Sequence, residues 1–257
     1  MKAMILAGGL GTRLSEETSV MPKPLVEIGS EPILWHIMKI IRGHGIREFI
    51  VCCGYKGLLI KRYFAEYGLR ALNVTYDLAE SSVEYRDRHG EDWRVTLLDT
   101  GLDTMTGGRL RRAADLLDDE PFLMTYGDGV GNIDISALVD FHRSHGKLAT
   151  VTAVQPTGRF GAMYLAEQDP HVRAFKEKPD GDGTWISGGF FVLDPRALDL
   201  VTGDDCVWEH GPMGALTEAG ELVAYRHQGF WHPMDTLRDK HVLNELWNSG
   251  KAPWQTW

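Results

Sequence analysis

The chain has 257 residues, of which 43% are hydrophobic and 25% charged, and its formal net charge is −9. That length and composition supply one sizeable core. The acidic balance excludes general nucleic-acid binding, which depends on a dominant basic patch. An acidic chain that binds a polyanion must gather its few cations locally and recruit a metal. No apolar run reaches the ~18 residues of a membrane span. The N-terminal apolar stretch stops at Gly8, with Arg13 soon after, and is too short for a signal peptide. A cytoplasmic protein without a membrane or nucleic-acid partner is expected.

Residues 2–6 read as a buried strand that runs into a long loop marked by Gly and Pro. Pro32 then opens a helix whose apolar spacing continues to Ile41, with the proline in its first turn. A strand at 48–53, a helix at 56–67, a strand at 95–98, a helix at 108–117, a strand at 122–126 and a helix at 133–145 follow. Strands separated by helices indicate βαβ units, and right-handed crossovers put the loops after the strands along one edge. Beyond residue 149, strand-like runs at 149–154, 163–165, 172–176 and 186–193 have few helices between them and read as a mixed continuation of the same sheet. Helices at 195–201 and 213–219, a strand at 222–227 and a closing amphipathic helix at 237–248 complete the chain. The expected fold is α/β: a Rossmann-like three-layer α/β/α arrangement with a mixed, mainly parallel central sheet. A single domain spans 1–257, since no linker or low-complexity tract divides it. The terminal Trp254 and Trp257 call for a docking surface, on this domain or on a neighbouring subunit.

Three cysteines are present, with Cys52 and Cys53 adjacent in an apolar run and Cys206 alone. Neighbours on a strand face opposite ways, so all three read as buried thiols rather than a bridge or metal site. His142 and His145 read as solvated residues on a polar helix face.

The most informative stretch is Leu6-Ala7-Gly8-Gly9-Leu10-Gly11-Thr12-Arg13-Leu14, followed by Met21-Pro22-Lys23-Pro24. Three glycines at a strand end let backbone N–H groups approach a phosphate, while Arg13 and Lys23 add charge. Pro24 is expected to hold Lys23 extended. The dinucleotide fingerprint fails because Leu14 stands where its last glycine belongs, and no Gly-Lys-Ser/Thr is present for a Walker motif. A second constellation is Tyr126-Gly127-Asp128-Gly129, where Asp128 at a strand's carboxyl end could reach Mg²⁺ or simply form a turn. Glu177-Lys178-Pro179 offers another lysine before a proline. Asp235, just ahead of the last helix, reads in isolation as its N-cap. Together, two carboxylates, two proline-flanked lysines and a Gly/Arg loop are what Mg²⁺-assisted phosphoryl chemistry needs.

The glycine loop and Pro22-Lys23-Pro24 resemble the signature of the sugar-1-phosphate nucleotidylyltransferases. Residues 93–97, 99–110, 125–129, 158–162, 188–191 and 231–240 carry the resemblance along essentially the whole chain, nearest to the branch that joins CTP to glucose 1-phosphate. It implies an enzyme of nucleotide-sugar and polysaccharide biosynthesis, acting with Mg²⁺ through in-line attack on the α-phosphate. The implied nucleotide site is Leu6, Ala7, Gly8, Gly9, Gly11, Thr12, Arg13, Lys23, Thr104, Gly107 and Gly108. Asp128 and Asp235 would hold the metal, and Lys178 the sugar phosphate. Glu177, Gly161, Gly189 and Trp231 would shape the glucose pocket. Arg13, Lys23, Asp128, Lys178 and Asp235 form the implied catalytic set. Residues 1–130 would serve mainly the nucleotide, and 131–257 the sugar phosphate and the contacts of a homo-oligomer, a trimer or hexamer. The chain departs from the family at Gly211 and Gly214, where acidic residues are usual. Residues 77–93 match poorly and read as a solvated insertion in preference to a lid. Uridylyl, thymidylyl or guanylyl transfer, or a silent regulatory subunit, are the alternatives.

Overall fold

Seven strands form the central sheet in the order Leu222–His227, Ala149–Val154, Ile186–Leu193, Phe122–Tyr126, Ala3–Ala7, Glu48–Cys53, Arg94–Asp99. The computed structural model describes residues 1–86, 90–156, 162–166, 169–176 and 184–257. Every neighbouring pair is parallel except the two made by Ile186–Leu193, which runs antiparallel to both Ala149–Val154 and Phe122–Tyr126. The sheet is therefore mixed and mainly parallel, as expected.

Alternate side chains enter opposite layers. Ala3, Ile5, Phe49, Val51, Leu123, Phe190 and Val192 join one core, with Ile33–Gly43, Ile135–His145 and Leu237–Asn248 supplying its helical side. Met4, Ile50, Phe122, Met124, Phe191 and Leu193 join the other, covered by Thr106–Arg112, Pro195–Leu200 and Gly211–Glu218. A sheet covered on both faces needs continuous apolar strands, which is why these runs stand out in the sequence. Cys52 and Cys53 are buried on opposite faces as expected, and burial pushes their thiols up to about 12 and about 11. Cys206 is only partly buried.

Several expectations need correction. Ala162–Ala166 and Asp169–Lys176 pair with each other in a separate two-stranded sheet instead of extending the main one. Both edges of Ala149–Val154 and of Ile186–Leu193 are already taken by other strands of the main sheet, which leaves no place beside them for the intervening pair. Residues 77–93 are not wholly irregular. Asn73–Asp77 and Ser82–Arg86 form an antiparallel hairpin that brings Val74 opposite Tyr85 and Tyr76 opposite Val83. Asp77 Oδ1 accepts from the Ala79 and Glu80 N–H groups at 3.0 Å, shaping its turn.

Pro32 sits just ahead of its helix as the N-cap. The 56–67 helix divides into Gly57–Ala65 and Tyr67–Ala71, and the 108–117 helix into Thr106–Arg112 and a short 3-10 turn at Ala114–Leu116. Pro195–Leu200 is likewise 3-10.

His142 is buried, not solvated, and its Nδ1 lies 2.9 Å from Thr150 Oγ1; His145 Nε2 meets the same hydroxyl at 2.8 Å. The buried Thr150 draws both imidazoles inward. The C-terminal tail docks on its own domain. Trp254 is fully buried and stacks on Phe230 at 5.5 Å, while Trp257 meets Trp35 edge-on at 5.7 Å. Trp254 Nε1 donates to His36 Nδ1, and His36 Nε2 donates to the Ile28 carbonyl, which fixes the neutral tautomer.

Candidate active site

Ala3–Ala7 lies between Glu48–Cys53 and Phe122–Tyr126. The chain leaves it first to one side and later returns on the other, so its carboxyl end is a topological switch point, where open α/β sheets form a crevice. A cleft of about 310 Å³ opens there, lined by Leu6, Ala7, Gly8, Gly9, Gly11, Thr12, Arg13 and Lys23. Thr104, Met105, Thr106, Arg109, Tyr126 and Asp128 also line it.

The glycines of the loop have different reasons. A Cβ on Gly8 would lie 2.2 Å from Nη1 of Arg109, and Gly11 adopts φ 65° with Thr18 close against it. At Gly9 the space is open. The loop is pinned at its carbonyls: Gly8 O accepts from Tyr55 N–H at 3.2 Å and Arg109 Nη2 at 3.1 Å, and Gly11 O accepts from Thr18 Oγ1 at 3.0 Å.

Arg109 is the functional-site residue that sequence reasoning missed. Its buried guanidinium also donates to Thr100 Oγ1 at 2.7 Å and to the carbonyls of Gly101, Leu102 and Cys53. One side chain thereby ties the glycine loop to the loops after two further strands. The Gly54 position is equally close to this guanidinium. Glycines at two separate strand ends were the available signal, but only the fold shows that they share one arginine.

Lys23 is expected to be extended, yet the structure puts the extended residue one earlier. Pro22 has ψ 147°, and Lys23–Leu25 forms a single 3-10 turn, closed by Leu25 N–H to the Pro22 carbonyl at 2.8 Å. Pro24 lacks an N–H and loses nothing within that turn. The Lys23 ammonium, on a side chain only 10% exposed, donates to Asp128 Oδ2 at 2.8 Å and Asp235 Oδ1 at 2.7 Å. Arg13 Nη1 holds the other Asp235 oxygen at 2.7 Å. Burial alone would lower the Lys23 pKa, but the two carboxylates outweigh it and hold it above its usual value.

A small ribbon that the sequence did not announce brings those carboxylates together. Gly129–Gly131 pairs antiparallel with Trp231–Pro233, setting Pro233 opposite Gly129. Met234 N–H then donates to the Asp128 carbonyl at 2.8 Å. Asp235 is not the cap of the final helix: Thr236 accepts from Asp239 N–H, and Asp239 Oδ2 accepts from both Asp235 and Thr236 N–H groups. This capping box leaves the Asp235 carboxylate free to accept from Lys23 and Arg13, both of which line the cleft.

Two carboxylates converging on one ammonium already form a cation site. The described residues contain no cluster of three or more His, Cys, Asp or Glu able to hold a metal. A Mg²⁺ ion bound through one or two carboxylates and substrate phosphates needs no such cluster, and this donor set fits it.

Thr104 joins the cleft wall, but Gly107 and Gly108 do not line it. Their N–H groups donate to the Cys206 carbonyl, and a Cβ on either would strike the backbone of Cys206 or Asp204. They permit helix-to-loop packing behind the wall. Gly189 (φ 76°) packs against the ring of Tyr126, a cleft residue, and Trp231 Nε1 donates to the adjacent Gly188 carbonyl at 2.7 Å. Gly161, Glu177 and Lys178 lie outside the described residues. The departure at Gly211 and Gly214 falls in the Gly211–Glu218 helix, and open space surrounds Gly214.

An open α/β sheet with a glycine loop at its switch point, facing paired carboxylates and cations, defines a nucleotide-handling α/β protein. A profile of the nucleotidyl transferase family matches residues 2–215. Proteins named glucose-1-phosphate cytidylyltransferase from Salmonella typhi and Salmonella typhimurium are each 59% identical to this chain over 258 aligned residues, covering all of both chains. The solved UDP-glucose pyrophosphorylase from Acinetobacter baumanii superposes with a TM-score of 0.70 at 17% identity, covering 98% of this chain and 95% of that one, and shares its fold. The chain belongs to the nucleotidyl transferase family. Among the described residues, no helix is long and apolar enough to cross a membrane.

Proposed function

We propose that this chain transfers a cytidylyl group from CTP to α-D-glucose 1-phosphate, giving CDP-glucose and pyrophosphate. The observation that carries the chemistry is the meeting of Arg13, Lys23, Asp128 and Asp235 at the cleft lined by the glycine loop. The choice of CTP and glucose rests on the full-length likeness to the two Salmonella proteins.

In this reading Leu6, Ala7, Gly8, Gly9 and Thr104 receive the cytidine, while Gly11, Thr12, Arg13 and Lys23 face the triphosphate. Asp128 and Asp235 are the residues that hold Mg²⁺, which when bound neutralises phosphate charge. Lys23 exchanges its carboxylate partners for phosphate oxygens, and Arg13 supplies the second cation. Lys178 holds the phosphate of glucose 1-phosphate, whose oxygen attacks the α-phosphorus in line as pyrophosphate leaves. That nucleophile is already anionic, so no side chain needs to remove its proton. Positioning and electrostatic stabilisation are the protein's contribution. Glu177, Gly161, Gly189 and Trp231 bound the glucose. Residues 1–130 serve mainly the nucleotide and 131–257 mainly the sugar phosphate, although Asp235 crosses that division.

The family resemblance also carries a cytoplasmic homo-oligomer, a trimer or hexamer, which sedimentation would measure. The docked C-terminal tail does not argue for it. The direct test of function is mass analysis of the product from CTP, glucose 1-phosphate and Mg²⁺. CDP-glucose is expected; its absence under those conditions would remove the proposal.

A further inference from the structure

Two residues that line the cleft, Tyr126 and Thr106, share a carboxylate with no place in the mechanism above. Glu209 Oε1 accepts a hydrogen bond from the Tyr126 hydroxyl, and Oε2 accepts from Thr106 Oγ1 at 2.7 Å. Thr106 Oγ1 in turn accepts from Trp208 N–H at 2.9 Å. Tyr126 and Thr106 both line the cleft. The Tyr126 ring is held on other sides by Gly189, where a Cβ would lie 2.8 Å from Cδ2, and by Phe191, edge-on at 6.2 Å.

The proton inventory of this cluster is restrictive. A carboxylate has only acceptors, so both hydroxyl protons must point at Glu209. The Thr106 oxygen spends a lone pair on Trp208. The Tyr126 oxygen is left with lone pairs only and can offer a ligand nothing but an acceptor. Arg13 and Lys23 therefore attract oxyanions to the cleft, whereas the Tyr126 oxygen repels them and favours a hydroxyl.

We infer that Glu209 is a positioning residue for substrate selection: it commits the Tyr126 proton so that the phenol oxygen accepts a hydrogen bond from a substrate hydroxyl. This rests on reading the cleft as the nucleotide and sugar-phosphate site. The hydroxyl belongs to the ribose of the nucleotide or to the hexose, and the test separates these sources. Orientation by Glu209, not its charge alone, sets the preference. Gln at that position still accepts the phenol proton through its carbonyl, whereas Ala releases it.

The experiment measures binding by calorimetry, which does not require turnover. CTP is compared with its 2′-deoxy and 3′-deoxy analogues, and glucose 1-phosphate with its monodeoxy analogues. The wild-type chain should bind one parent at least about tenfold more tightly than one deoxy analogue, the scale expected for a lost hydrogen bond of this kind. Tyr126→Phe and Glu209→Ala should bring that ratio close to one, and Glu209→Gln should retain most of it. The other substrate's ratios should stay unchanged in every variant. Equal weakening of parent and deoxy analogues would reduce Glu209 to a structural support and overturn the inference. Absence of any wild-type hydroxyl preference would do the same. If Tyr126→Phe does not fold, the Glu209→Ala and Glu209→Gln pair decides the matter. Failure of the catalytic reading shows separately, as a wild-type chain that binds these ligands without releasing pyrophosphate.

Discussion

Lys23 and Asp235, 212 positions apart, meet at 2.7 Å through a 3-10 turn at one end and a helix capping box at the other. The ammonium simultaneously holds Asp128. Lys23 is thus the built-in counter-ion of the carboxylate pair assigned to the metal.

That relationship predicts competition. In Lys23→Met, binding of Mn²⁺ without nucleotide should strengthen several-fold, because the carboxylates lose their internal cation while remaining close together. Electron paramagnetic resonance of free Mn²⁺ would measure it. Unchanged or weaker binding would mean that the carboxylates do not act as a metal pair.

Asp235→Asn should leave melting temperature nearly unchanged, since Thr236 and Asp239 cap the helix without its carboxylate. The rate of transfer should fall about a hundredfold or more, equivalent to about 2.7 kcal/mol of lost transition-state stabilisation. Single-turnover kinetics beside a thermal melt would separate these effects. Near-normal rate would return Asp235 to a structural role.

Two neighbouring glycines should respond unequally to alanine. Gly8→Ala forces a methyl against the buried Arg109 guanidinium, whereas Gly9→Ala enters open space. The first should destabilise the fold by about 1–3 kcal/mol and the second by about 0.5 kcal/mol or less. Urea denaturation reads both, and equal effects would show that Arg109 yields easily.

Acid should weaken the fold partly through His36. Burial depresses its pKa from 6.5 to about 4, so the unfolded chain binds the additional proton first as pH falls. Stability is retained above pH ~6.5, declines through the interval, and levels off near pH ~4, with a loss of about 3 kcal/mol from this group. His142, depressed by burial to the same value, adds in the same direction. Replacing His36 by Gln should flatten the decline between pH ~6.5 and pH ~4 in denaturant titrations; an unchanged slope would assign it elsewhere.

The sheet was legible because both its faces are covered. Residues 48–53, 122–126, 149–154 and 186–193 are apolar on every side that packing demands, and their boundaries match the structure. Elements with one exposed face were harder to read. Charges at Asp77, Glu80 and Glu84 obscured the two-residue period of Val74, Tyr76, Val83 and Tyr85. The Gly129–Gly131 and Trp231–Pro233 ribbon is too short for any periodicity, yet it joins the two aspartates. Arg13, Lys23, Asp128 and Asp235 could be nominated from residue type and position after strands. Arg109 could not, because its role depends on carbonyls from Gly8 to Leu102 that only the folded sheet edge assembles. The helical positions of His142 and His145 likewise gave no sign of the buried Thr150 hydroxyl between them.

The most direct measurement is kcat/KM for pyrophosphate release with glucose 1-phosphate and Mg²⁺, using CTP, UTP, dTTP, ATP and GTP in turn. The account predicts a strong preference for CTP. A preference for another triphosphate would contradict the base assignment, and no release with any of the five would contradict transfer to glucose 1-phosphate itself.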